Sequence, residues 1–208
     1  MSARIDAAET TAAVLEEDRA RADFYALISR LFYAGPDAGL LAAIAGADGI
    51  SGEGEDVNLA LAWRALIAAA AVADAEAAKE EYDKVFVGTG KAEVTPYVTK
   101  YLSEPTKENL LVRLRAELAE LGLARASGVA EYEDHFAGLC EVMRHLIFFA
   151  PDVAVQKQKS FFLRYLAPCY AIVCDAVTAS PDTNFYKCVA RFTKAFLDVE
   201  AESFDLDQ

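Results

Sequence analysis

The chain has 208 residues, 54% of them hydrophobic, and sets 33 Asp and Glu against 20 Lys and Arg for a formal charge of −13. Phosphate backbones are held by clustered Lys and Arg, so an acidic chain with no basic stripe is excluded as a nucleic-acid binder; its charge suits plain solubility or a basic partner. One sizeable core fits in this length and no Pro/Gly/Ser-rich linker divides it, which predicts a single domain over residues 1–208.

Alanine, leucine and charged residues dominate while alternating β-branched runs are missing, so the expected fold is all-α, a single-domain helical bundle interrupted by a long central loop. The N-terminal segment is acidic and has no hydrophobic signal core. The longest apolar runs, such as 66–73, fall far short of the roughly 20 residues of a membrane span, so a cytoplasmic protein without stable membrane insertion is expected. Cys140, Cys169, Cys174 and Cys188 form no Cys-x-x-Cys pair and lie in apolar patterns. They are expected to be free thiols without metal, which suits a reducing compartment.

In chain order, Thr10 or Thr11 is placed to cap a first helix in which Val14, Phe24, Leu27, Ile28, Leu31 and Phe32 keep helical spacing until Gly35-Pro36 stops it. A short helix through Leu40, Leu41 and Ile44 leads into a glycine- and acid-rich loop, 46–56, that lacks the Gly-Lys-Ser/Thr of a phosphate-binding loop. Asp56 is expected to cap a helix carrying Leu59, Trp63, Leu66, Ile67 and Ala70, with more helix from Ala77 to Phe86. Gly88, Gly90 and Pro96 then break the pattern into the central loop, 87–101. Few apolar residues anchor it between Phe86 and Tyr97, so it is expected to open easily and to order on a partner. Ser103 or Thr106 is placed to cap a helix whose stripe is Leu110, Leu111, Leu114, Leu118 and Leu121, ended by Gly122. Ser180-Pro181 is expected to start the final helix, with Phe185, Val189, Phe192 and Phe196 facing the core.

Residues 131–149 hold both histidines and a tight acidic cluster. Phe136, Leu139, Cys140, Met143, Leu146 and Ile147 mark a helix with one apolar face, closing at Ala150-Pro151. Glu131, Asp134 and His135 stand at i, i+3 and i+4 and are expected to share one side of its first turn. Two readings fit them: an N-terminal cap with the histidine satisfied by its own carboxylates, or a binding surface. The central loop is open to the same choice, since Tyr97 and Tyr101 beside Pro96 offer rigid amphipathic contact area or else pack down on the bundle.

Three segments in order carry a resemblance. Glu131-Tyr132-Glu133-Asp134-His135 ahead of an apolar helix resembles the Glu-Pro-x-Asp-His signature of the TorD/DmsD family, cytoplasmic chaperones that mature molybdenum-containing redox enzymes; Tyr132 stands in the proline position. Tyr82, Val85, Phe86, Gly88, Gly90, Pro96, Tyr97 and Tyr101 are similar to that family's Tyr-x-x-Leu-Phe-x-Gly-Pro-Gly and Pro-Tyr-Glu-Ser-x-Tyr, with Thr89 for a proline and Val98-Thr99 for the Glu-Ser pair. Gln158, Phe161, Leu166 and Pro168, then Phe185-Tyr186, then Phe196-Leu197 with Glu200, resemble its C-terminal pattern, where Tyr165 replaces a histidine and Cys169 a tryptophan.

The resemblance implies a chaperone rather than an enzyme, with no cofactor of its own. Its implied partner is the twin-arginine signal peptide, or the apo form, of a molybdenum-containing oxidoreductase, held by a monomer or dimer until cofactor insertion and export. The implied client-binding residues are Glu131, Asp134, His135, Tyr97, Tyr101, Tyr82, Phe86 and Pro96. Two other classes compete. A helical-bundle metal- or small-ligand-binding enzyme lacks the Glu-x-x-His pair of a di-iron bundle at both His135 and His145, and no Gly-x-Ser-x-Gly or cysteine–histidine signature is present. A purely structural oligomer subunit explains the helices but leaves the Glu-x-x-Asp-His cluster idle.

Overall fold

Leucines and aromatics at three- and four-residue spacing in alanine-rich stretches become helices wherever a cap or a glycine bounds them. The computed structural model describes residues 2–50, 57–88, 90–102, 109–126, 131–148 and 155–206, with side chains from Glu16 to Asp205. Its helices are α1 (Ser2–Tyr33), α2 (Ala38–Ala45), α3 (Val57–Val72), α4 (Ala75–Tyr82), α5 (Leu110–Glu120), α6 (Phe136–Phe148), α7 (Val155–Phe161), α8 (Tyr170–Ala179) and α9 (Phe185–Leu206). Among the described residues there is no strand, as the all-α expectation requires. None of these helices is long and apolar enough to cross a membrane alone. Asp56, Thr89, Ser103, Thr106, Ala150 and Pro151 lie outside the described residues.

α1 packs along α6, while α9 lies against α3 and α8 and α2 covers α3. Aromatic rings fill the seams. Phe32 meets Phe136 with centroids 4.9 Å apart, and Phe24 sits between Trp63 and Phe192 at 5.2 and 5.1 Å. α1 runs unbroken from Ser2, so Thr10 and Thr11 fall within the helix instead of starting it.

A helix leaves its first N–H and last C=O groups without internal partners. Asp37 and Asp74 cap α2 and α4 locally, accepting from Leu40 at 2.7 Å and Ala77 at 2.9 Å. Other ends are satisfied from across the bundle. Glu81 on α4 accepts the N–H groups of Asn184, Phe185 and Tyr186 at 2.8 to 3.1 Å and so caps α9. At the end of α1, Tyr82 Oη donates to the Tyr33 carbonyl at 2.6 Å and Tyr186 Oη to that of Leu31 at 2.9 Å. Ser180 therefore does not start the final helix. It closes α8, its N–H reaching the Ala176 and Val177 carbonyls, and α9 begins only at Phe185, where the Glu81 carboxylate supplies the acceptor.

One polar cluster is buried in the core. Glu200 on α9, 2% exposed, takes two bonds from the Arg21 guanidinium at 2.7 and 3.0 Å and one from Tyr25 Oη at 3.0 Å, while Arg21 also reaches Gln158 at 3.3 Å. Burial and the Glu200 carboxylate both push the Tyr25 phenol well above its ordinary range. Cys140, Cys169 and Cys174 are buried free thiols and Cys188 is half-buried. Burial raises the Cys169 thiol to about 12 and raises the other three as well, which disfavours the thiolate at neutral pH.

After α4 the helix widens into a π-turn, Asp83–Val87, that ends on Gly88 at φ +63°. A Cβ there would lie 2.3 Å from the Lys91 carbonyl oxygen, so only glycine fits. The chain that follows is better anchored than its composition suggests. Val94 and Val98 are buried, and the Val94 N–H bonds to the Val85 carbonyl at 2.9 Å. β-Branched side chains on both sides of Pro96 hold this strap, 90–102, against the bundle. A second π-turn, Phe162–Leu166, precedes the Pro168 bend, where the chain turns 46° into α8.

Glu200→Ala is expected to lower the unfolding free energy by about 3 kcal/mol, because it strands the largely buried Arg21 charge and leaves Tyr25 without its acceptor. Denaturant titration followed by circular dichroism measures this. A loss below about 1 kcal/mol would show the cluster to be dispensable.

Candidate functional site

The strap and the turn before α6 are tied by backbone. Val98 N–H donates to the Asp134 carbonyl at 3.0 Å, Phe136 N–H donates to the Pro96 carbonyl at 2.7 Å, and Tyr97 pairs antiparallel with His135. In a helix begun at Glu131 the Asp134 carbonyl would serve residue 138 instead. The strap therefore delays α6 to Phe136, and Glu131, Asp134 and His135 do not share the first-turn face expected of them.

Each of the three has its own task. Asp134, 2% exposed, turns to the strap and accepts from Thr99 Oγ1 at 2.6 Å, with the Thr99 N–H more distant at 3.3 Å. Threonine at 99 keeps the hydroxyl of the serine that the TorD/DmsD pattern usually has there. His135 starts the helix: its carbonyl accepts from Leu139, and its Nδ1 accepts the Ala137 N–H at 3.2 Å, so the neutral ring carries its proton on Nε2. Burial holds this imidazole below its ordinary 6.5, with Glu131 and Asp134 pulling partly the other way. The Glu131 carboxylate accepts from Tyr97 Oη, whose pKa is raised first by burial and then by that bond.

Beside this turn lies a groove of about 420 Å³. Its apolar walls are Leu118 and Leu123 at the end of α5 and Val142 on α6, with Tyr33 and the 58% exposed Tyr132 at its mouth. Gly138 on α6 keeps the floor low. Glu131, Glu133 and Glu141 supply carboxylates. Glu133 is paired with Arg115 at 2.9 Å and Glu141 with Arg144 at 3.1 Å, whereas among the described residues Glu131 meets a phenol and no cation. Arg125 stands on the rim, donating to the Glu131 carbonyl at 3.3 Å. Among the described residues no three His, Cys, Asp or Glu side chains converge on a point that could hold a metal ion.

Of the residues singled out from the sequence, Glu131 and His135 line the groove and Tyr97 stands behind Glu131. Pro96 and Asp134 are buried in the seam between strap and turn. Tyr101 donates to the Thr95 carbonyl at 2.7 Å and staples the strap to itself. Tyr82 and Phe86 are core residues, packed on Tyr186 with centroids 6.0 and 5.6 Å away. The groove also uses Tyr33, Tyr132, Leu118 and Val142, which the sequence reading did not single out as site residues. Only Tyr132 had a signal, an aromatic inside the acidic motif.

A family model described as nitrate reductase delta subunit matches residues 53–175, more than half of the chain, including the strap, the turn and the groove walls on α5 and α6. No curated protein matches the chain.

Two outcomes follow from the seam. Thr99→Val removes a donor to a buried carboxylate and is expected to cost about 1.5 kcal/mol and to speed amide exchange at Val98 and Phe136; unchanged exchange at both would place the strap's anchor elsewhere. His135 is held neutral, so the unfolded chain takes up its proton first as the pH falls. The stability tied to the neutral ring is complete above about 6.5 and is lost as the pH drops below that value through the lower folded-state pKa. His135→Gln is expected to flatten the stability profile just below about pH 6.5, measured by denaturation at stepped pH, while carboxylates such as Glu133, held low by Arg115, act only further down. An identical slope in the variant would show that this imidazole does not couple to folding.

Proposed function

We propose, because the chain belongs to the nitrate reductase delta subunit family of redox-enzyme maturation chaperones, that it escorts the apo form of a molybdenum-containing oxidoreductase by holding that client's twin-arginine signal peptide in the groove beside α6. The membership agrees with the TorD/DmsD resemblance of the three sequence motifs. Work on such a leader before export belongs in the cytoplasm. The task is to hold and release, and the chain's own residues supply shape and charge to that end.

The observation that carries the reading is the pairing, within one groove, of apolar walls with a carboxylate that no cation among the described residues neutralises. A twin-arginine leader is a basic segment joined to an apolar stretch. Leu118, Leu123 and Val142 suit the stretch. Glu131, oriented by Tyr97, presents a carboxylate to a guanidinium, and the overall charge of −13 steers a basic peptide toward it. Tyr33 and Tyr132 at the mouth add flat amphipathic surface of the kind recognition sites favour. Asp134 and His135 act behind this surface, the one fixing the strap and the other starting α6. Their removal should loosen the site rather than delete a contact.

Titration calorimetry with a synthetic peptide bearing two arginines ahead of a leucine- and alanine-rich stretch tests the reading. Binding is expected to weaken as salt rises, and Glu131→Gln is expected to lower affinity about tenfold, the loss of one charge-assisted contact, with a nearly unchanged thermal midpoint. No binding by the wild-type protein, or equal affinity in the variant, would count against the groove as the client site.

A further inference from the structure

α5 is held more lightly than α1 and α9. α1 and α9 are fixed by several bonds each, α1 by the buried ones of Tyr186 and Glu200 and the part-buried one of Tyr82, α9 by the three that Glu81 accepts at its start. α5 buries one stripe, Leu110, Leu114 and Leu118, and leaves Val112 on its far side 66% exposed. Among the described residues its side-chain ties to the rest of the fold are two ion pairs near the surface: Arg115 to Glu133 on the turn, and Glu117 to Arg164 on the second π-turn. Near-surface pairs hold weakly, so this helix sits at the low end of local opening free energy.

Its C-terminal half also stands between two cavities. On one side is the groove with Leu118 and Leu123; on the other is a second cavity of about 200 Å³, whose apolar wall is Leu121, Leu146 and Phe161 and whose charged rim is Glu117, Glu120, Lys157 and Arg164. Leu118 faces the first and Leu121 the second. Gly122, at φ +70°, turns the chain just beyond, with Leu123 N–H closing on the Leu118 carbonyl at 2.8 Å.

We propose that α5 is a displaceable partition whose outward tilt breaks the Glu117–Arg164 pair, joins the two cavities and seats the apolar stretch of the client's leader along α6. The inference rests on the client reading above. The occupant is set by the order of the chemistry along α6: the Glu131 carboxylate stands just before the helix, Val142 lines the groove one to two turns on, and Leu146, a turn further, lines the second cavity with Leu121 and Phe161. A leader with its arginines ahead of its apolar stretch meets them in that order.

The test uses the full chain with Arg164→Ala and with the charge-swapped double variant Glu117→Arg, Arg164→Glu, read by amide hydrogen exchange across 110–120 and by fluorescence of the apolar dye 1-anilinonaphthalene-8-sulfonate. Arg164→Ala is expected to raise α5 exchange and dye binding by up to about fivefold, the most that one exposed pair holds, and the swap to restore both. Saturating leader peptide is expected to deprotect the outer end of α5 in the wild-type protein and to associate faster with Arg164→Ala. Exchange and dye binding unchanged by Arg164→Ala, or bound peptide that leaves α5 fully protected, would overturn the partition. A peptide that binds no variant would sink the client reading, and the dye and exchange measurements would still decide whether α5 moves.

Discussion

Every helix end in a bundle exposes backbone groups that must find partners, and burying an end without them costs about 1–3 kcal/mol for each group left bare. This chain meets much of that demand across the fold. Glu81 and Tyr82 are consecutive, yet the first caps the start of α9 and the second bonds the end of α1. The short α4 that carries them is held at its own start by Asp74. The π-turn that follows leads the chain through Gly88 into the strap. The strap in turn sets where α6 begins, and the groove forms against that start. Helix-end hydrogen bonding thus runs in sequence from the core to the site.

The same constraint explains which parts could be read from the sequence. Apolar periodicity reports the stripe each helix buries, and the helices through Trp63, Leu114 and Phe192 fall where spacing puts them. Local caps were legible in principle because Asp37 and Asp74 sit three residues before the N–H they accept. Ser180 misled because Ser-Pro is a sound local start signal, whereas the partner of α9 lies about a hundred residues upstream on Glu81. Glu131, Asp134 and His135 misled likewise. Their spacing is helical, but the strap's hydrogen bonds to Asp134 and Phe136 take precedence over the helix that spacing describes.

At the site the motif residues were legible as a set and their division of labour was not. Tyr82 and Phe86 are as aromatic as Tyr97 and stand in the same motif, yet α4 and the π-turn after it direct them inward and the strap leaves Tyr97 half-exposed beside Glu131. Nothing local separates these cases. Asp134 reads as a recognition carboxylate, but its Thr99 partner lies thirty-five residues away, so its burial is visible only once the strap is in place. Tyr33 was legible as the end of α1 beside Gly35-Pro36; that this end opens on a groove depends on α5 and α6, far along the chain.

The Arg21–Glu200 cluster joins the first described helix to the last, and its members are separated by 179 positions. A nascent chain emerging from a ribosome can form α1 long before it has synthesised the carboxylate that Arg21 requires or the Tyr186 hydroxyl that the end of α1 requires. Contacts so distant in sequence close late, because the loop entropy must be met before they give anything back. Tyr33, which borders the groove, belongs to that same helix end. The groove that Tyr33 borders is therefore completed only after synthesis of the chain is nearly finished.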